Sequence, residues 1–159
     1  MTVAVRRAAI DDAPVVAELF LASFHATYAF PLAHTDDEVR SWIRERLIPD
    51  HEVWVATERQ QVVGMLALKP GWLEQLYVAP DRLGEGIGRR LMEVAKSRQP
   101  DGLQLWTFQV NARARRFYES HGFLAVQETP DHNEEKQPDV RYVWPGASAA
   151  PPGGYAAEP

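Results

Sequence analysis

The chain has 159 residues, 45% hydrophobic and 25% charged, with a formal net charge of -5, which fits an ordinary globular protein with one core. Fourteen arginines and three lysines form no basic cluster dense enough to neutralise many phosphates, so nucleic acid is not an expected partner. The longest apolar runs, such as 62–68, are strand-sized, no signal-like apolar stretch follows Met1, and there is no cysteine; a cytoplasmic location without membrane, disulfide or thiolate chemistry is expected.

Residues 3–7 read as a short strand, and Asp11, Asp12 and Pro14 as the acidic start of a first helix. Its apolar residues Val16, Leu19, Phe20 and Phe24 recur at helical spacing until Pro31 interrupts the pattern. Thr35 and Glu38 have capping-box spacing and open a second helix, with Val39, Trp42, Ile43 and Leu47 on one stripe and Pro49 at its end. Runs 53–57, 62–68 and 73–78, separated by a polar turn at 58–61 and by Pro70-Gly71, predict an antiparallel meander.

The glycines after Pro80 open a third helix that closes near Pro100, and 103–110 reads as another strand. Residues 111–120 predict a fourth helix capped at Gly122, followed by a closing strand pair at 123–128 and 140–144 around a polar loop at 131–138. Residues 146–159, dominated by Pro, Gly and Ala, predict a flexible tail behind a domain spanning 1–145.

The strongest chemical signal is a strand running into Gly84, Gly86 and Gly88 and then into a helix. Small residues let backbone N–H groups approach a ligand, and a helix start adds partial positive charge, so a diphosphate is the expected ligand. A P-loop needs G-x-x-x-x-G-K-[ST], which is absent, and the dinucleotide pattern G-x-G-x-x-G fails at Arg89. An alternating G-x-G-x-G suits S-adenosylmethionine, but the about 70 residues after Gly88 are too few for the rest of a methyltransferase sheet. A second signal runs from Asn111 to Phe123: Asn111 sits at a strand-to-helix junction, where it can cap a helix or bond a ligand amide. Ala114 and Tyr118 then share one helix face. The five histidines lack metal-ligand spacing, and no metal is expected.

Together these stretches resemble the GNAT superfamily of N-acetyltransferases over residues 3–144. The family's loop pattern [R/Q]-x-x-G-x-[G/A] falls on 83–88, with Leu83 where Arg or Gln is usual, and N-x-x-A-x-x-F-Y-x-x-x-G-F is matched at every fixed position from Asn111 to Phe123. The resemblance implies an α/β fold with a mixed, mostly antiparallel sheet of six or seven strands flanked by about four helices. It implies direct transfer of acetyl from acetyl-CoA to a primary amine, small-molecule or peptide, in a cleft where the strands at 73–78 and 103–110 splay apart. The cofactor contacts it implies are Leu76, Tyr77, Val78, Gly84, Glu85, Gly86, Ile87, Gly88, Arg89, Asn111, Ala114, Phe117 and Tyr118. The Val78 N–H is the implied donor to the thioester oxygen, and Tyr118 the general acid for the departing thiolate.

A lysine-like amine of pKa about 10.4 spends roughly 4 to 5 kcal/mol reaching its neutral form at pH 7, so a base is useful. Glu74, on the central strand four residues before Val78, is the first candidate, with a water relay as the alternative; where some family members carry a glutamate, five residues before Asn111, this chain has Trp106. Acceptor-side candidates are Phe24, Tyr28, Trp72, Trp106, His132, Glu134, Arg141 and Tyr142. Family members are often dimers, so a homodimer joins the expected partners. A non-catalytic acyl-CoA sensor with the same fold stands as the alternative, motivated by Leu83 and Trp106.

Overall fold

The computed structural model describes residues 2–149. They fall into two compact units, one ending at Ala95 and the other beginning at Lys96. The expected tail lies outside the described residues from position 150 onward; of its beginning, Gly146 is buried and the Ala147 N–H donates to the Pro100 carbonyl at 2.9 Å.

In the first unit, β1 (Ala4–Arg7) ends where Asp12 reaches back. Its carboxylate accepts from the Arg6 guanidinium at 2.8 and 2.9 Å and from the Ala9 N–H at 2.7 Å, closing a 3-10 turn over Ile10–Asp12. The Arg6 hydrogen bonds hold Asp12 below the usual carboxylate range. Helix α1 (Ala13–Thr27) starts there with Pro14 in its first turn, where the missing N–H leaves no intrahelical bond unmade.

Helix α2 (Asp36–Trp42) opens on the expected capping box: Thr35 Oγ1 accepts from the Glu38 N–H at 3.1 Å, and Glu38 accepts from the Thr35 N–H at 2.8 Å. The rod continues as a π turn over Ile43–Leu47 and ends in the single turn of α3 (Ile48–Asp50). Pro49 has no N–H for the Glu45 carbonyl and its ring presses on that turn, so the backbone widens and the Ile48 N–H reaches Ile43 instead. The helix thus outlasts the proline by one residue rather than stopping at it.

Strands β2 (Glu52–Glu58), β3 (Gln61–Lys69) and β4 (Trp72–Val78) form the expected meander, with β1 antiparallel to β2. Arg59 and Gln60, both at positive φ, form the two-residue turn between β2 and β3 without a glycine. Val16, Ile43, Leu47, Val53, Val55 and Met65, none more than 1% exposed, join α1, the helical rod and the sheet. Each contributes about 1.5–3 kcal/mol of apolar burial, less for a valine than for a larger side chain. Helix α4 (Ile87–Arg98) follows the glycine loop.

The second unit holds β5 (Leu103–Phe108), α5 (Ala112–Ser120), β6 (Leu124–Thr129) and β7 (Asp139–Trp144), with β7 antiparallel to both β5 and β6. β5 ends two residues short of the expected 110, because the Asn111 N–H turns back to the Phe108 carbonyl at 3.1 Å. Asn111 Oδ1 then caps α5 by accepting from the Ala114 N–H at 3.0 Å. The helix closes in a Schellman arrangement, Gly122 N–H to Glu119 and Phe123 N–H to Tyr118, with Gly122 at φ 87°. Leu103, Leu105, Phe123, Val140 and Tyr142 make the core of this unit.

Candidate active site

The glycine loop is held from outside rather than from within. Arg82 donates to Glu58 on β2 at 2.8 Å and to Glu85 in the loop at 2.9 Å, and these carboxylates raise its pKa, Glu85 foremost. Gly84 and Gly86 take φ of 80° and 86°, which other residues avoid, and a Cβ on Gly86 would meet nothing within 4 Å. Helix α4 starts at the next residue, and the N–H groups of its first turn, Ile87, Gly88 and Arg89, have no intrahelical acceptor. Backbone donors of this kind, beside glycines with no side chain in the way, are chemically suited to a diphosphate. Leu83, in place of the family's Arg or Gln, is 46% exposed.

The β3–β4 register fixes which way the backbone N–H groups of β4 point. The Ala79 N–H donates to Val63, which makes 79/63 and 77/65 the bonded pairs of the β3–β4 register. The N–H groups of Leu76 and Val78 therefore point away from β3. The Val78 carbonyl accepts from Ser23 Oγ on α1 at 3.1 Å, which fixes the end of the strand. Tyr77 packs on Phe20, with ring centroids 4.8 Å apart.

Glu74 is the extra residue of a β-bulge: Ala67 faces Gln75 and Leu68 faces Leu73, so Glu74 has no partner on β3. Its Oε1 is 2.8 Å from Lys69 Nζ, and the same ammonium lies 5.9 Å from the Trp72 ring centroid. Of the aromatics in this unit that the sequence suggests for the acceptor side, Phe24 is buried at 2% exposure between Tyr28 and Phe30, while Tyr28 is half-buried.

In the second unit, Ala114 and Phe117 are half-buried on α5, and the Phe117 ring lies 4.6 Å from that of His121. Tyr118 is 7% exposed, its ring against Phe117, Phe123 and Tyr142. Tyr142 is fully buried; its hydroxyl donates to Glu119 at 2.6 Å and accepts from Arg115 at 3.0 Å. Burial and the Glu119 hydrogen bond push its phenol above the ordinary value. That hydroxyl ties β7 to α5, so its role is internal. Arg141 is bound on both sides, by Gln127 and Gln104, and Glu134 is exposed in the β6–β7 loop.

That loop is ordered around Asn133, whose side chain donates to the Gln137 carbonyl and Asp139 and accepts from the Gln137 N–H. Asp139, 3% exposed, gathers Thr129, Asn133 and His132, and the His132 ring lies 4.4 Å from that of Trp106. Trp106 and His132 are thus brought together. Ser23, Arg82, Thr129 and Asp139 are structural contributors that motif reading does not reach. The signal for Asp139 is an acidic residue opening a strand whose other residues, Arg141 apart, are apolar or aromatic. Among the described residues no three His, Asp or Glu side chains converge as a metal-ligand set, and no helix is long and apolar enough to cross a membrane.

A family model described as an acetyltransferase (GNAT) domain matches residues 49–124. The chain is 32% identical over 124 residues to the peptidyl-lysine N-acetyltransferase YjaB of Escherichia coli, covering 77% of this chain and 83% of that protein. It is 28% identical to the peptidyl-lysine N-acetyltransferase YiaC of the same organism, covering 89% and 96%. The solution structure of apo YjaB aligns over 92% of this chain and 100% of that one, with TM-score 0.76 and 29% identity. The PaiA N-acetyltransferase of Thermoplasma acidophilum, solved with coenzyme A, shares the fold at TM-score 0.68 and 20% identity, over 90% of this chain and 98% of that one.

Proposed function

The chain belongs to the GNAT N-acetyltransferase family, and from that premise we propose that it moves acetyl from acetyl-CoA directly to a primary amine, a peptidyl lysine in particular. The observation that carries the cofactor reading is the cradle of Gly84 and Gly86, with open space over Gly86 at the start of α4. The diphosphate is bound there by the backbone from Gly84 to Arg89, where a leucine at position 83 removes one side-chain contact and leaves the amides in place. The pantetheine arm is met by the outward N–H groups of Leu76 and Val78, in the manner of an added strand.

Acetyl-CoA supplies an activated thioester carbonyl. The Val78 N–H serves the thioester oxygen, at the end of a strand where Ser23 Oγ holds the Val78 carbonyl. Tyr118 donates its phenolic proton to the leaving thiolate. Asn111, Ala114 and Phe117 present the same turns of α5 and contribute to holding the cofactor. The peptidyl-lysine acceptor is supported by what YjaB and YiaC are named for.

CoA release with the wild-type chain, acetyl-CoA and a panel of lysine peptide, polyamine and aminoglycoside tests this. Release that is fastest with the lysine peptide is expected. Thermal stabilisation by acetyl-CoA, about 2.7 kcal/mol at 100 times its Kd, without release on any amine would instead support the acyl-CoA sensor motivated by Leu83.

A further inference from the structure

We propose that His132 is the base that takes the proton from the acceptor amine, with buried Asp139 as its positioning residue; this rests on the acetyltransferase reading above. Thr129 and Asp139 face each other across the β6–β7 pair at the mouth of the loop. The Thr129 hydroxyl donates its only proton to Asp139 Oδ1 at 2.5 Å, so its oxygen is left as an acceptor. His132 Nδ1 lies 2.6 Å from that oxygen and 3.1 Å from Asp139 Oδ2. Both neighbours of Nδ1 are acceptors, so the ring proton sits on Nδ1 and the neutral imidazole carries its lone pair on Nε2.

The rest of the loop holds that geometry. Asn133 donates to Asp139 Oδ2 at 3.0 Å, and Gln109 donates to the Asp139 backbone carbonyl at 2.9 Å, so the carboxylate has little freedom to leave the ring. Trp106 on β5 lies against one side of the imidazole. The His132 side chain is nevertheless 45% exposed, and among the described residues Nε2 meets no partner. From the elements packed on it, β5 contributes Trp106, β6 contributes Thr129 and β7 contributes Asp139, the one charged group on the ring among the described residues. An exposed lone pair, a fixed tautomer and a buried carboxylate behind it are what a proton acceptor requires. Glu74 is differently placed: its Oε1 already holds the Lys69 ammonium at 2.8 Å.

The proton balance closes. His132 Nε2 takes one proton from the alkylammonium, freeing the nitrogen lone pair for the thioester carbon; the C–N bond forms and the C–S bond breaks. The proton then lost by the acylated nitrogen equals the one taken up by the thiolate, and His132 returns its own to water. The products are the acetamide, CoA thiol and one proton.

The test pairs a ring-tautomer measurement with a pH profile. Proton–nitrogen correlation of the neutral His132 ring in the full chain is expected to show Nδ1–H; the Nε2–H tautomer would overturn the proposal. With a lysine peptide, H132Q is expected to lose about 10²- to 10⁴-fold in kcat/KM near neutral pH while keeping its melting temperature and its stabilisation by acetyl-CoA. Its rate then climbs about tenfold per pH unit toward the amine pKa of about 10.4, whereas the wild type levels off earlier. E74Q is expected to lose less than H132Q. An active wild type whose H132Q variant keeps both rate and profile overturns the base assignment alone; a wild type that binds acetyl-CoA and acetylates no amine overturns the transferase reading as well.

Discussion

Two polar loops carry the proposed chemistry, and they are built by opposite means. The loop at residues 83–86 is a backbone device: two glycines at positive φ, open space over Gly86 and the donors of the α4 start, with side chains confined to the Arg82 clamp outside it. The loop between β6 and β7 is a side-chain device, in which Asn133, Asp139, Thr129 and His132 bond one another and the backbone follows. Backbone recognition tolerates exchange of neighbouring side chains, which is why a leucine at position 83 is compatible with binding. The side-chain cluster tolerates little, because each member sets the hydrogen-bond direction of the next.

This contrast can be broken most forcefully at Tyr118. Tyr118→Phe keeps the ring among Phe117, Phe123 and Tyr142, so kcat is expected to fall about 10²- to 10⁴-fold while the KM for acetyl-CoA stays close to wild type. Steady-state kinetics decide it; an unchanged kcat across pH removes the acid role. A smaller effect is expected on the backbone side. Gly86→Val has room for its Cβ but not the favoured backbone, and a strain of about 1–2 kcal/mol weakens acetyl-CoA about 5- to 30-fold by titration calorimetry. Equal affinity would mean that the loop is not the anion cradle.

An effect expected on stability, with the least expected on turnover, sharpens the line between chemistry and packing. Tyr142 is buried with its phenol pKa raised above 10.0, so it contributes stability that is complete below the unfolded value and lost as pH rises through the folded one. Tyr142→Phe is expected to cost about 1–3 kcal/mol near neutral pH and to flatten the decline of stability above about pH 10, as read by denaturant unfolding. A Tyr142→Phe variant with native stability but altered acceptor preference would return this residue to the amine site.

How much of this was legible follows the same division. The capping box at Thr35, the cap at Asn111 and the Gly122 turn are local hydrogen-bond patterns, set by residues within five positions of each other, and the sequence shows them directly. The glycine loop is equally legible, since only glycine takes its backbone angles cheaply. The bulge at Glu74 is not, because it depends on how β3 and β4 shift past one another between Ala67 and Leu68. Pro49 misleads as a stop signal because the turn before it widens into a π turn. The His132 arrangement is the least legible: the polar loop is visible, but its order comes from Asp139, which reaches Thr129 only once β6 and β7 have paired. Ser23 likewise acts across 55 positions of chain.

The most direct test of the central claim is a single turnover with acetyl-CoA labelled in its acetyl group, a lysine peptide and an excess of the chain, followed by mass spectrometry of peptide and protein. Direct transfer predicts the label on the lysine Nζ as an amide, one free CoA thiol for each peptide modified, and no labelled acetyl on the protein. An unlabelled peptide beside intact acetyl-CoA binding, or label held on the protein before the peptide is added, would contradict it.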